Sequence, residues 1–365
     1  MLLAKYASRG IVGAVPPESE AATPFQCGIR SFPGHRLAKR KRKNMKPITK
    51  ENAWKMLEQM ILCRRFEEAT IKAYQQKFIT GFLHTYIGQE ACAVGAMAHM
   101  TEEDSFVTSY RCHAQGLIAG MSPRSVMAEM FGRITGCVRG KGGSMHVFSK
   151  QHKHLGGHGI VGGQIPIGAG AAFANRYQGG NGINLCYFGD GASMQGVFHE
   201  CMNLASLWNI PVIYICENNM YGMGTRNDRA LSNTEVQEFA AAYKVKGYKV
   251  DGMDLVASHK AFGEIIEEAR KTSRPALVNV VTYRFKGHSV SDAGSYRTAE
   301  ELQCWMDKDP IGKFFQHMQK QGWIDDDGFK GLEKKVKDIV ADAVQFAEES
   351  PWPPMDELTK HTYAD

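Results

Sequence analysis

The apolar residues of this chain follow two spacings, one typical of buried strands and one typical of helices. Residues 183–190 (INLCYFGD) and 210–219 (IPVIYICENN) are nearly continuous apolar runs, which predict strands that are buried on both faces. Between them, residues 196–209 carry apolar side chains at helical spacing. A strand, a helix and a second strand in this order predict a βαβ unit, and therefore a parallel sheet with a right-handed crossover.

Other segments with the same two spacings surround this unit. The predicted elements are a helix from Thr49 to about Gly81, a helix over 88–100, a strand over 105–110, a helix over 122–132, a strand over 275–285 and helices from Glu300 onward. Thr49 and Ser122 are the expected N-caps, and Pro123 fits the first position of its helix. This pattern predicts an α/β fold, with a parallel sheet flanked by helices on both faces.

Glycine is concentrated in residues 136–170, which include GCVRGKGGSMH and HLGGHGIVGGQIPIGAG. Isoleucine, valine and leucine are interleaved with these glycines, which is not typical of a flexible linker. Because glycine lets the backbone approach a ligand closely, this segment is predicted to be a loop that lies against a bound molecule.

Composition narrows the class of protein. With 365 residues, of which 43% are hydrophobic and 22% charged, the chain is predicted to be globular. No apolar run reaches the roughly 18 residues that a membrane span requires. The nine cysteines include no CxxC pair, so a structural zinc site is not expected. Cys186 and Cys216 lie inside apolar runs and are expected to be buried thiols.

The net charge of +6 is unevenly distributed along the chain. Residues 1–46 hold ten Lys and Arg residues and two Glu residues, a net of +8, which leaves 34 basic and 36 acidic residues, a net of −2, in the remainder. We therefore predict a basic, disordered N-terminal extension over residues 1–44 and a single domain over residues 45–365. The alternative for residues 36–44 is a nucleic-acid or targeting patch, whereas nucleic-acid binding is not expected of the near-neutral body.

Polar residues follow two neighbouring strands of the predicted unit. Asp190 lies between Gly189 and Gly191 directly after the first strand, and Asn218 and Asn219 end the second. The carboxyl ends of neighbouring parallel strands meet at one edge of a sheet, where ligands bind. A carboxylate and an amide oxygen suit a Mg²⁺ ion that is shared with a diphosphate, and bare glycine backbone favours phosphate. Taken singly, such an Asp could be a helix cap and such an Asn pair a turn.

The two motifs together resemble the signature of thiamine diphosphate enzymes, since 26 residues separate GDG at 189–191 from NN at 218–219. From about Thr49 to its end, the chain also resembles the α subunit of the E1 component of 2-oxoacid dehydrogenases. The similar phrases are GFLHTYIGQEA, YRCHAQG, GRITGCVRGKGGSMH, GIVGGQIPIGAG, ENNMYGMGT and TYRFKGHSVSD. HTYIGQEA, VDGMDL and AVQFAEESPWPP are more similar to the pyruvate-specific members than to the branched-chain ones.

The resemblance implies a role for each matching residue. The ligands of Mg²⁺ would be Asp190, Asn219 and the backbone carbonyl of Tyr221. The groups that bind the diphosphate would be Tyr110, Arg111 and His288, with the backbone of Gly189, Gly191 and Ala192 beside it. The main chain of Gly159 and Val161 would contact the aminopyrimidine ring. His84 would face the substrate, and the catalytic histidines would be His84, His113 and His288.

Each of these residues also has a structural explanation that the sequence leaves open. Without the resemblance, Arg111 could form a surface ion pair, Tyr110 could belong to the core, and His84 could be a buried histidine without a catalytic role. His152, His154 and His158 could suggest a metal site, but no acid or thiol completes it, so none is expected.

The resemblance also implies an activity and partners. With a β subunit, in an α2β2 heterotetramer, the chain would use thiamine diphosphate and Mg²⁺ to decarboxylate pyruvate. It would then acetylate the lipoyl group of the E2 acetyltransferase, which feeds acetyl-CoA synthesis. The carboxylate that activates the cofactor is expected from the β subunit, so the chain alone is predicted to be inactive. The alternative is the E1 α subunit of an acetoin or branched-chain 2-oxoacid dehydrogenase.

Two segments depart from the family pattern. Met194 stands where an Asn is usual after GDGA, which removes one contact near the phosphates but no metal ligand. The loop HSVSDAGSYRT is one residue shorter than is usual, and its Ser289 matches a kinase target of mitochondrial members. The shortened loop also lacks the second proline, which argues against such regulation, so a bacterial cytoplasmic enzyme is expected, and the mitochondrial matrix is the alternative location.

Overall fold

The computed structural model describes residues 47–363, so the extension predicted over residues 1–44 lies outside the described residues. The strands are β1 Ser105–Ser109, β2 His154–His158, β3 Asn184–Gly189, β4 Val212–Asn218, β5 Tyr221–Gly222, β6 Thr225–Arg226, β7 Lys246–Asp251 and β8 Ala276–Val281. The α-helices are α1 Lys50–Gln75, α2 Glu90–Met97, α3 His113–Ile118, α4 Pro123–Met130, α5 Gln164–Tyr177, α6 Gly196–Trp208, α7 Asn227–Ala230, α8 Leu255–Thr272, α9 Ala299–Met306, α10 Pro310–Lys320 and α11 Asp326–Glu349. Shorter 3₁₀ turns cover Gly143–Met145, Asp190–Met194, Val236–Tyr243 and Met355–Leu358.

Six of these strands form one parallel sheet in the spatial order β2–β1–β3–β4–β8–β7. The two strands predicted from the longest apolar runs, β3 and β4, are neighbours at its centre, and α6 connects them. The chain passes from β1 to β2 on one side and returns to β3 on the other side of β1. This reversal of direction leaves a crevice at the carboxyl ends of β1 and β3, which is where ligands bind in such sheets.

Both faces of the sheet are covered by helices, as the apolar runs predict. Along β3, Cys186 and Phe188 belong to one hydrophobic cluster, which α5 and α6 complete. The intervening residues Leu185 and Tyr187 belong to a second cluster, which α2 and α8 complete. Because successive side chains of a strand point to opposite faces, a strand that is apolar at every position has to be buried on both. The predicted α/β fold is confirmed.

A third hydrophobic cluster joins helices that lie beside the sheet. It contains apolar side chains of α1, α4, α10 and α11. Thr49 caps α1 as predicted, and it forms a capping box with Asn52. The helix ends at Gln75, earlier than the predicted Gly81, because Lys77 adopts a left-handed φ of 65° that stops the helical repeat.

The glycine-rich segment 136–170 contains regular structure that its composition does not predict. It provides the edge strand β2 and the first half of α5. The sequence of β2, HLGGH, lacks the β-branched and aromatic residues that identify strands. The predictions for Cys186 and Cys216 are confirmed, since both are buried free thiols. Within residues 47–363 no cluster of ligands suits a metal ion by itself, and no helix is long and apolar enough to cross a membrane.

His154, in β2, makes the stability of this fold sensitive to acid. It is buried, stacks on Phe106 with ring centroids 4.4 Å apart, and burial lowers its pKa to about 3. The ordinary pKa of histidine is about 6.5, so the unfolded chain binds a proton that the folded chain excludes. The contribution of His154 to stability is therefore complete above pH 6.5 and decreases as the pH falls towards 3.

We expect His154 to account for a loss of about 2 kcal/mol in unfolding free energy between pH 7 and pH 5. Urea unfolding at both pH values should show a smaller loss by that amount in His154→Gln than in the unmodified chain. The exposed His361 is the matched control, and His361→Gln should leave the pH dependence unchanged. An equal pH dependence in His154→Gln and the unmodified chain would contradict this prediction.

Candidate active site

A cavity of about 660 Å³ opens at the carboxyl edge of the sheet, where β1, β2, β3 and β4 end. Every site residue predicted from the sequence contributes to its lining, with the exception of His113. The predicted residues that line it are His84, Tyr110, Arg111, Gly159, Val161, Gly189, Asp190, Gly191, Ala192, Asn219, Tyr221 and His288. The topology therefore brings together residues that are up to 204 positions apart (288 − 84).

Oxygen atoms gather at one end of the cavity. Burial raises the pKa of the Asp190 carboxyl to about 6, while the positive charge of Arg284 opposes this increase. The side-chain Nδ2 of Asn219 donates to Oε1 of Gln89 at 3.2 Å, which leaves its Oδ1 buried without a partner among the described residues. A buried acceptor without a donor and a carboxylate that is costly to ionise are both relieved by a hard cation.

The backbone around Asp190 has no side chains that would fill this end of the cavity. A Cβ atom added to Gly189 would have no other atom within 4 Å, and one added to Gly191 would meet only the Cα of Gly222 at 3.6 Å. Both glycines line the cavity, so their bare backbone leaves room for a ligand. Gly159 and Val161 lie in the connection between β2 and α5 and line the same cavity.

Two buried guanidinium groups give the cavity a positive wall. Arg111 donates from Nη1 to the carbonyl of Thr85 at 2.8 Å and from Nη2 to the carbonyl of His288. Arg284 donates from Nη2 to the carbonyls of Tyr221 at 3.3 Å and Met223 at 3.2 Å. Within residues 47–363 neither guanidinium forms a salt bridge with a carboxylate. Burial lowers the pKa of Arg111 to about 10, and burial also lowers the pKa of Arg284.

Buried cations without a salt bridge are costly, because nearby carboxylates, such as Glu217 for Arg111 and Asp190 for Arg284, offset only part of the desolvation. Arg111 and Arg284 both line the cavity. The charge of Arg284 lowers the pKa of Arg111, and the charges of both arginines lower the pKa of His288. An anion that enters this cavity would supply further negative charge beside both guanidinium groups. Guanidinium groups are well suited to phosphate oxygens, since their planar N–H groups can bind two oxygens at once.

Three rings border the cavity beside this positive wall. The ring centroid of His84 is 4.4 Å from that of Tyr110 and 5.0 Å from that of His288. Burial lowers the pKa of His84 to about 2 and that of His288 to about 3, and the charge of Arg111 lowers both further. Both histidines are therefore neutral at physiological pH. They offer hydrogen-bonding nitrogens to a ligand without adding charge.

His113 lies behind the cavity rather than in its lining. It is fully buried, its Nδ1 lies 3.0 Å from Oε2 of Glu67 in α1, and its Nε2 lies 2.8 Å from the carbonyl oxygen of Ser144. The hydroxyl of Ser144 in turn accepts a hydrogen bond from the backbone N–H of His84 at 3.5 Å. His113 can thus act on the cavity through Ser144, and a direct catalytic role stays a prediction that this arrangement does not favour.

Two charged residues of the cavity are not among those that the sequence analysis identifies. Arg284 follows β8 by three positions, and the sequence signal is a lone arginine at the end of an apolar strand. Glu217 lies within β4, just before the Asn pair, and is the lone acid in that apolar run. Burial raises its pKa to about 7, although the hydroxyl of Tyr86 donates a hydrogen bond that lowers it.

Comparison with known proteins identifies the family to which this fold and cavity belong. Residues 58–356 match the family described as Dehydrogenase E1 component, and the chain is a member of that family. The family depends on thiamine diphosphate, so the resemblance inferred from the sequence motifs is confirmed.

Individual relatives narrow the similarity within the family. The chain is 46% identical over 312 residues to a protein of Rhizobium meliloti named pyruvate dehydrogenase E1 component subunit alpha, which covers 85% of this chain and 90% of that one. It is 43% identical over 318 residues to the protein of the same name from Rickettsia bellii, covering 87% and 97%. A chloroplastic relative from Oryza sativa, named subunit alpha-3, is 39% identical over 327 residues, covering 87% and 77%.

Proposed function

We propose that this chain is the α subunit of a pyruvate dehydrogenase E1 component, which decarboxylates pyruvate and acetylates the lipoyl group of an E2 acetyltransferase. The observation that carries the proposal is the composition of the cavity, where two buried guanidinium groups without a salt bridge line the same space as a buried carboxylate and an amide oxygen without a donor. A metal-diphosphate group satisfies all four. The names of the similar proteins from Rhizobium meliloti and Rickettsia bellii support pyruvate as the substrate.

The residues of the cavity fit thiamine diphosphate and Mg²⁺ in a specific arrangement. Asp190, Oδ1 of Asn219 and the carbonyl oxygen of Tyr221 would hold the metal. That carbonyl accepts a hydrogen bond from Arg284, and its second lone pair can serve a cation. The diphosphate would be bound by Arg111, Arg284, Tyr110 and His288, together with the backbone of Gly191 and Ala192. Bound thiamine diphosphate supplies the carbon nucleophile and the electron sink that decarboxylation requires.

The neutral histidines would orient the substrate. His84 and His288 lie together beside the positive wall, and Nδ1 of His84 has no partner among the described residues. A hydrogen bond from these rings to the carboxylate of pyruvate would hold it without the strong charge attraction that would oppose loss of CO₂. Phe82 and Met145 line the same cavity and would exclude water from the substrate.

A β subunit and an E2 protein are the partners that this function requires. Asp190 and Glu217 are the carboxylates that line the cavity; the first is assigned to the metal, and the second accepts hydrogen bonds from Tyr86 and Gln115. We therefore propose that the carboxylate that activates the cofactor comes from the β subunit, in an α2β2 heterotetramer. The bacterial origin of the relatives from Rhizobium meliloti and Rickettsia bellii supports the bacterial cytoplasm as the location.

Reconstitution with the β subunit of the same organism tests this function. The complex should decarboxylate pyruvate only with both thiamine diphosphate and Mg²⁺ present, and the α chain alone should be inactive. A panel of pyruvate, acetoin and 2-oxoisovalerate should give a kcat/KM at least about tenfold higher for pyruvate than for the branched substrate, which is what a pocket fitted to one methyl group can achieve. Preference for either of the other two substrates would support the alternative assignment, and activity of α alone would contradict the role of β.

A further inference from the structure

Glu301 lies outside the cavity and joins two segments that contribute residues to it. Its carboxylate is buried in the first turn of α9 and accepts hydrogen bonds from the hydroxyl of Tyr221, at 2.9 Å to each oxygen, and from the hydroxyl of Tyr283 at 2.8 Å. Thr298 caps this helix by accepting from the backbone N–H of Glu301 at 3.1 Å. The position in the first turn also places the carboxylate at the positive end of the helix dipole.

Both tyrosines remain hydrogen-bond donors at physiological pH. The ordinary pKa of a tyrosine hydroxyl is about 10, so both hydroxyls keep their protons. The ring of Tyr283 is stacked on that of Trp305, also in α9, with centroids 5.1 Å apart and an angle of 2° between the ring planes. Charged hydrogen bonds of this kind fix both rings more strongly than packing alone would.

The two tyrosines lie directly beside groups that face the cavity. Tyr221 begins the β5–β6 hairpin, and its carbonyl oxygen is one of the oxygens assigned to the metal. Tyr283 precedes Arg284, whose guanidinium donates to that same carbonyl and whose Nη1 lies 3.1 Å from Nδ1 of His288. Tyr221 is thus held at its hydroxyl by Glu301 and at its carbonyl by Arg284. The Glu301 carboxylate therefore links the β5–β6 hairpin to the segment that carries the guanidinium of Arg284.

We infer that Glu301 is a positioning residue for the proposed metal-diphosphate end of the cavity, which holds the carbonyl of Tyr221 and the guanidinium of Arg284 in a fixed relative position. The inference rests on the proposed function, because it assigns Glu301 to the same metal site. Groups that orient metal ligands through one hydrogen bond change metal affinity by roughly 10- to 100-fold when they are removed. Without Glu301, the hydroxyl of Tyr221 loses its acceptor, and the hairpin loses the contact that orients the carbonyl of Tyr221.

Mg²⁺ titration of the reconstituted α–β complex by calorimetry, at saturating thiamine diphosphate, tests the inference. We expect Glu301→Ala to raise the apparent Kd for Mg²⁺ about tenfold or more. Glu301→Gln, which retains an acceptor oxygen, should restore part of the affinity. The matched control is the exposed neighbour Glu300 in the same helical turn, and Glu300→Gln should leave the Kd unchanged.

The hydroxyl deletions separate positioning from simple support of α9. The double variant Tyr221→Phe/Tyr283→Phe removes both donors with little change in packing, and it should raise the Kd as much as Glu301→Ala does. It also keeps the test decisive if Glu301→Ala does not fold. A lower thermal unfolding midpoint with an unchanged Kd for Mg²⁺ would overturn the inference. If the unmodified complex binds no Mg²⁺ with thiamine diphosphate, the proposed function fails instead.

Discussion

Replacing Asp190 with alanine is expected to abolish Mg²⁺-dependent binding of thiamine diphosphate to the reconstituted complex, with a loss of affinity of about 100-fold or more. Asp190 is the only charged ligand in the proposed metal site, since the other two proposed oxygens, from Asn219 and Tyr221, carry no charge. A divalent cation with a single carboxylate ligand depends on that charge to offset its dehydration. Calorimetric titration of thiamine diphosphate, with and without Mg²⁺, measures the loss.

Variants at Asp190 should remain folded, so that a loss of cofactor binding can be distinguished from a loss of structure. Because burial raises the pKa of Asp190, its ionisation in the metal-free chain costs stability as the pH rises through about 6. The isosteric Asp190→Asn variant removes that cost, so its thermal unfolding midpoint without metal should equal or exceed that of the unmodified chain at pH 8. The exposed Asp228 is the matched control, since Asp228→Asn should retain binding. Unchanged affinity in Asp190→Asn would show that the metal lies elsewhere.

The sequence is sufficient to predict the centre of the fold and the grouping of Asp190 with Asn219 at one edge of the sheet, for one physical reason. An apolar run that must be buried on both faces is a strand of a parallel sheet, and the residues that end two neighbouring strands meet at one edge. Asp190 and Asn219 could therefore be placed together from local patterns alone. The structure confirms that β3 and β4 are neighbours and pairs Gly189 with Glu217. Asp190 and Asn219 follow these strands, so they lie at the same edge of the sheet although 29 positions separate them (219 − 190).

Residues whose role depends on distant packing could not be predicted in this way. The environment of His113 is set by Glu67, which reaches it from α1 across 46 positions. Nothing in the sequence near His113 indicates that partner, so its place behind the cavity could not be foreseen. Arg284 and Glu217 were missed for a related reason, because a charged residue in or after an apolar strand is equally compatible with a surface ion pair. Only the fold shows that they are buried.

The second large effect is expected from Arg111, because its guanidinium is held in one orientation by two carbonyls. Nη1 and Nη2 donate to the carbonyls of Thr85 and His288, and among residues 47–363 no carboxylate forms a salt bridge with the guanidinium. A lysine at this position keeps the charge but lacks the planar guanidinium, whose two separate nitrogens reach the two carbonyls at once. Arg111→Lys should therefore weaken thiamine diphosphate binding by about tenfold or more, and the neutral Arg111→Met should weaken it further.

Comparing thiamine with thiamine diphosphate shows whether the loss of affinity in Arg111→Lys comes from contacts with the diphosphate. Thiamine without phosphates should bind the unmodified complex and Arg111→Lys with similar, weak affinity, and inorganic diphosphate should compete with the cofactor less well in the variant. The surface residue Arg124, which pairs with Asp342, provides the control, and Arg124→Lys should bind as the unmodified complex does. An equal loss for thiamine and thiamine diphosphate would mean that Arg111 shapes the cavity rather than binding the phosphates. Whichever ligand result is obtained, Arg111→Met removes the repulsion between Arg111 and Arg284, so we expect it to unfold at a higher temperature than the unmodified chain in the absence of cofactor.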